Sequence, residues 1–173
     1  MMRGLFGGRR RSVFGPGREL GVYRNDLFER TSRIDVRLGE IADAIDALRR
    51  RALDPDEVVT RLTAHEEALD EEEAGLQAML APEELHGLHM EYETNLERAL
   101  RGIVTVERGC GITKLPHRPP DDEEPYIYYK RGHANVTHAR MRMAEIVDVL
   151  LHWEPGKPAE ATVTARLERT REG

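Results

Sequence analysis

One cysteine, Cys110, stands in the whole chain. A lone thiol excludes an intramolecular disulfide and favours a cytoplasmic address. Aromatic residues make up 5% of the composition, too few for the walls of an ordinary enzyme pocket. Lysine is nearly absent, at Lys114, Lys130 and Lys157, so the cationic side chains are almost all arginine, the coding bias of a GC-rich genome. No apolar run has the length of a signal peptide or approaches the ~20 residues that span a bilayer. Nucleophile elbow, Walker-type loop, dinucleotide fingerprint and zinc-ligand spacing are all missing. No resemblance to a known family emerges from the residues.

What is present is one hydrophobic rhythm, repeated. Leu27, Thr31, Ile34, Leu38, Ile41, Ile45, Leu48 and Ala52 follow one another in steps of three and four. Leu85, His89, Tyr92, Leu96, Ala99, Ile103, Val106 and Cys110 do the same, as do Tyr129, Gly132, Val136, Ala139, Met143, Ile146, Leu150 and Trp153. A step averaging about 3.5 residues keeps a single stripe on one side of an α-helix. The expected fold is all-α: an antiparallel up-down-up-down four-helix bundle with a basic N-terminal arm and a short C-terminal tail.

Punctuation places the elements. The arm covers 1–21 and the bundle 22–156, with helices at about 22–52, 54–80, 82–108 and 126–154. Asp54, Pro55 and Glu57 form a capping-box pattern, and Pro82 with Glu83 and Glu84 restarts the chain. Gly109-Cys110-Gly111 is expected to end the third helix and open a loop over 109–125. The tail, 157–173, alternates weakly like a strand at Thr162–Leu167, with a frayed end or a short helical stub equally expected.

The second helix breaks the rhythm. Its stripe of Val58, Leu62, Leu69, Leu76 and Met79 is interrupted by His65 and Glu72. A buried carboxylate must be paired, protonated or partly solvated. If helices two and three meet near Ala81, Glu72 or Glu73 lies level with His89, and Asp35 stands at the same height. One layer further, His65 falls level with His138 and Asp43. His65, Glu72, His89 and His138 are therefore the candidate metal or ligand set. The competing expectation is a satisfied structural His–Glu pair, a wet face, or a face covered by a second copy in a homo-oligomer. The same levels set Gly75 opposite Gly87, and Gly102 opposite Gly132.

Charge is split. Residues 1–24 hold six arginines against Glu19, a net of +5, which leaves −11 on the rest of a chain whose formal total is −6. In the arm, Phe6 and Phe14 flank Arg9-Arg10-Arg11 with glycines around them. Arginines can bind acidic groups, and aromatics can anchor in pockets or stack on bases. Nucleic acid could meet the arm only, because the acidic body repels it. Tyr126 and Tyr128, in the run Tyr126-Ile127-Tyr128-Tyr129, form a second candidate surface, since three tyrosines in four residues cannot all face one core; the equal alternative is that they close the base of the bundle under the long loop. The expected function is a non-enzymatic interaction or accessory protein that docks on a larger assembly or acidic partner through its arm, with no cofactor. The alternative is a metal- or ligand-binding bundle built on the inward His and Glu residues.

Overall fold

The computed structural model describes residues 16–159. Four α-helices account for most of them: α1 (Pro16–Arg49), α2 (Pro55–Gln77), α3 (His86–Thr113) and α4 (Pro125–His152). A single 3-10 turn, Glu83–Leu85, leads into α3, and no strand occurs among the described residues. Phe6, Arg9, Arg10, Arg11 and Phe14, and the stretch 162–167, lie outside the described residues.

The expected seams are the core. Leu27, Ile34, Leu38, Ile41 and Ile45 of α1 meet Leu62, Leu69 and Leu76 of α2, Leu96 and Ile103 of α3, and Val136, Ile146 and Leu150 of α4 in one buried cluster. Burying each Leu, Ile or Val side chain is worth ~1.5–3 kcal/mol against leaving it exposed, which far exceeds what intrinsic helix propensity supplies.

Each helix packs on its neighbour in the chain, and α4 packs back on α1. Residue numbers rise along one partner as they fall along the other. Arg24 of α1 donates to the carbonyls of Leu150 and Trp153 at the end of α4, Asp35 meets Arg140, and Arg49 meets His133 near the start of α4. Between α1 and α2, Arg33 meets Glu72 and Glu40 stands near His65.

Several boundaries differ from expectation. Helix α1 begins at Pro16, so the last residues assigned to the arm are helical and Leu20 and Tyr23 join the core. Its far end comes at Arg49, because Arg51 takes φ +60°, the left-handed conformation that stops a helix and leaves Ala52 exposed. The capping box at Asp54 forms as read, with Asp54 Oδ1 accepting from the backbone of Asp56 and Glu57 at 2.9 Å each. Gly109 does not end α3, which runs on to Thr113. A Cβ at Gly109 would lie 2.8 Å from Tyr128 Cβ and 2.9 Å from a Tyr129 ring carbon, so this glycine serves close packing of α3 on α4. The loop is correspondingly shorter. It is tied down by Arg108 and Tyr128 on Asp122, Arg118 on Glu124, and Arg131 on Glu123.

Candidate functional site

Glu72 is buried on the α2 stripe, as its spacing implied, but its partners come from α1. Arg33 donates through Nε at 2.5 Å and Nη2 at 3.1 Å, and Arg30 donates through Nη1 at 3.0 Å. The two guanidiniums hold the Glu72 carboxyl below its ordinary pKa, Arg33 foremost, against the opposing effect of burial. Gly75 belongs to the same device. The Arg30 guanidinium occupies the space where a Gly75 Cβ would stand, so Gly75 does not face Gly87, whose own Cβ position is open. Loss of the Cβ lets α1 reach the carboxylate.

His89 is almost fully buried and accounts for both ring nitrogens. Nε2 stands 3.1 Å from the carbonyl oxygen of Leu76, and Nδ1 stands 3.0 Å from the Tyr23 hydroxyl. A carbonyl only accepts, so Nε2 carries the proton and Nδ1 accepts from Tyr23. Glu93 Oε1 lies a further 3.4 Å from Nε2. The Tyr23 hydroxyl is pushed well above its usual pKa, by burial first and then by Glu93, and remains a donor throughout the physiological range. The expected pairing of His89 with Glu72 or Glu73 is thus replaced by Tyr23, Leu76 and Glu93.

The four residues of the candidate metal set do not converge. Glu72 is held by arginines, His89 by Tyr23 and Leu76, and His138 is exposed. His65 Nδ1 lies 3.7 Å from Glu40, beyond hydrogen-bond length. Among the described residues no group of three His, Cys, Asp or Glu side chains could hold a metal ion. Asp35 pairs with Arg140, with bonds of 2.7 and 3.0 Å.

The tyrosine run divides. Tyr126 is half exposed, while Tyr129 packs inward. Tyr128 is also buried, with its hydroxyl on Asp122 at 3.0 Å and the Arg108 guanidinium 5.5 Å above its ring. Tyr128 therefore ties the loop onto the helices through Asp122 and Arg108. Tyr126 alone keeps the open position expected of an interface residue.

These carboxylates give opposite pH signatures. Glu72 and Asp35 titrate below their ordinary values, because Arg33 and Arg140 respectively bond them. Their contribution is complete above the unfolded pKa of about 4 and is lost as pH falls through the lower folded values. Glu73 is raised instead, by burial first and then by Glu97, Asp70 and Glu93, so its charge opposes folding at neutral pH. Glu73→Gln is therefore expected to stabilise the protein by about 0.5 kcal/mol at pH 7, an effect that vanishes once pH is low enough to protonate Glu73 in both states. Urea denaturation across pH 3–7 checks this, and an equal gain at every pH would contradict it.

A cleft opens at one end of the helices. It measures about 1140 Å³ and lies between the first turns of α1, the α2–α3 turn and the end of α4. Leu20, Val22, Met79, Leu80 and Trp153 supply its apolar surface, with Leu80 93% and Val22 57% exposed. Glu19, Asp26, Glu83 and Glu84 also line it, and no described residue supplies any of the four with an ion-pair partner. Arg30, the one cation among the described lining residues, is engaged by Glu72. Trp153 is held in place by its indole N–H on the Lys157 carbonyl at 2.6 Å and by Arg24 on its own carbonyl. The cleft is not readable from spacing because its walls come from helix ends far apart in the chain: Met79 and Trp153 stand at the ends of expected stripes, Val22 opens the expected first helix, and nothing in the sequence shows that they meet. Compared with known proteins, the chain matches no family model, no curated protein and no solved structure.

Proposed function

We propose that this chain is a non-enzymatic interaction protein: an antiparallel up-down-up-down four-helix bundle that docks on a larger assembly or acidic partner through its basic arm. The opposed running of residue numbers in the α1–α4 and α1–α2 contacts supports the antiparallel arrangement. Two of the buried polar groups are engaged within the protein, Glu72 by arginines and His89 by Tyr23. The observation that carries the reading is the position of the open apolar surface. Val22 and Leu80 stand uncovered at the end of the bundle where residues 1–15 join α1 at Pro16. A basic, Phe-bearing segment beside uncovered apolar side chains has the composition of a docking region, with arginine and aromatic anchors.

Affinity capture from the native cell tests this. The full chain should retain a defined partner that is lost, by roughly tenfold or more, when Arg9, Arg10 and Arg11 are replaced by glutamate, since each lost charge-assisted contact costs on the order of 1 kcal/mol. Equal retention by the two proteins would remove the arm from the interaction.

A further inference from the structure

The cleft and the arm are complementary in charge and in chemistry. Residues 1–15 carry Arg3, Arg9, Arg10 and Arg11 and no acidic residue, together with Leu5, Phe6, Val13 and Phe14. The cleft presents four carboxylates without described partners around an apolar surface that includes the highly exposed Leu80. An exposed leucine set among acidic side chains is the kind of site that takes an aromatic anchor flanked by arginines.

We propose that the cleft is the docking site of the chain's own residues 1–15, with Phe6 or Phe14 over Leu80 and Val22, and Arg9–Arg11 facing Glu19, Asp26, Glu83 and Glu84. Covalent attachment favours this occupant over any other. Pro16 opens α1 and Gly17 lines the cleft, so the segment starts at the rim and meets it at the high effective concentration of a tether. Fifteen residues reach up to ~50 Å when extended, whereas a cleft of 1140 Å³ is only about 10 Å across. The segment can therefore turn back on itself, at Gly7-Gly8 or Gly15, and still lay both phenylalanines on the apolar surface. Such docking is independent of any partner. If an acidic partner exists, it must compete with the cleft for the same arginines.

Limited trypsin digestion of the full chain tests the proposal, because trypsin cuts after Arg9, Arg10 and Arg11. Substitutions confined to the cleft leave those cleavage sites unaltered. Leu80→Asp alters a side chain that is 93% exposed, and Glu83→Arg with Glu84→Arg alters two exposed ones, so the bundle stays folded, which circular dichroism verifies. Cleavage of a transiently released segment follows the fraction released, so each cleft variant should be cut in the arm ~10-fold faster than the parent chain. Raising salt should accelerate the parent more than Glu83→Arg/Glu84→Arg, since that variant has lost two of the four carboxylates whose contacts salt screens. Identical cleavage rates in parent and variants would overturn the proposal. A protection that grows with protein concentration and accompanies a dimer in light scattering would overturn it too, by assigning the cleft to the arm of a second copy.

Discussion

Gly132→Ala is expected to destabilise the protein by about 2 kcal/mol, although alanine is the better helix former by up to ~1 kcal/mol. A Cβ at Gly132 would press on the Val106 side chain and stand 2.6 Å from the backbone carbonyl oxygen of Gly102. Val106 can rotate, but a backbone oxygen inside a helix cannot, so α3 and α4 would have to separate along the interface that Gly102 and Gly132 share. Reciprocally, a Cβ at Gly102 would meet the Gly132 carbonyl oxygen at 3.0 Å. The control is Gly87→Ala. That position is exposed in the first turn of α3 with nothing within 4 Å of its Cβ, and the same substitution there should stabilise by up to about 1 kcal/mol. Urea denaturation of the two variants should move the midpoint in opposite directions. Gly132→Ala behaving like Gly87→Ala would mean that the two helices are not held in backbone contact.

His89→Ala should cost about 3 kcal/mol, the larger of the two effects. Three losses combine. A cavity opens next to Leu76 and the Tyr23 ring, the Tyr23 hydroxyl loses its buried acceptor, and the Leu76 carbonyl loses a donor. Tyr23→Phe removes one bond and leaves Nδ1 of His89 unpaired, at a cost nearer 1 kcal/mol. Because the two residues share that bond, the double variant should lose less than the sum of the single losses, a coupling that a double-mutant cycle measures. Strict additivity would show that the Tyr23–His89 bond contributes nothing to stability. This interaction also joins α1, α2 and α3 at the level of the cleft, since Tyr23 is a lining residue of it. Loss of His89 should therefore loosen the cleft end before the Asp54 end.

Much of the helical order was legible because a stripe of period near 3.5 has one outlet, burial against other helices. Leu27 to Leu48, Tyr92 to Cys110 and Val136 to Trp153 are buried along the stripes read from their spacing. Capping residues were equally legible where they act locally, as at Asp54 and Glu57. Glycines were legible only in part. Gly102 and Gly132 face each other as their levels implied, whereas Gly109 looks like a terminator in sequence but lies inside a helix, and Gly75 makes room for an arginine instead of facing Gly87. A missing Cβ has the same appearance in sequence whatever fills its place.

The site was legible only in outline. Spacing placed Glu72 and His89 on buried faces and required that each be satisfied, because an unpaired polar group in a core is too costly to keep. It could not identify the partners. Arg30, Arg33 and Tyr23 lie 42, 39 and 66 residues from the groups they satisfy, and their selection rests on which rotamer reaches across the α1 interface. The cleft was hidden for a related reason: its walls come from three places in the chain, the start of α1, the α2–α3 turn and the end of α4. Sequence by itself determined four helices and their buried stripes, and it places a net charge of +5 on residues 1–24 against −11 on the rest, all of which are properties of neighbouring residues. Tertiary structure decided that the polar stripe of α2 pairs with α1 and that the end of the bundle keeps an open acidic cleft, because side-chain direction and helix-end geometry exist only once the helices are packed.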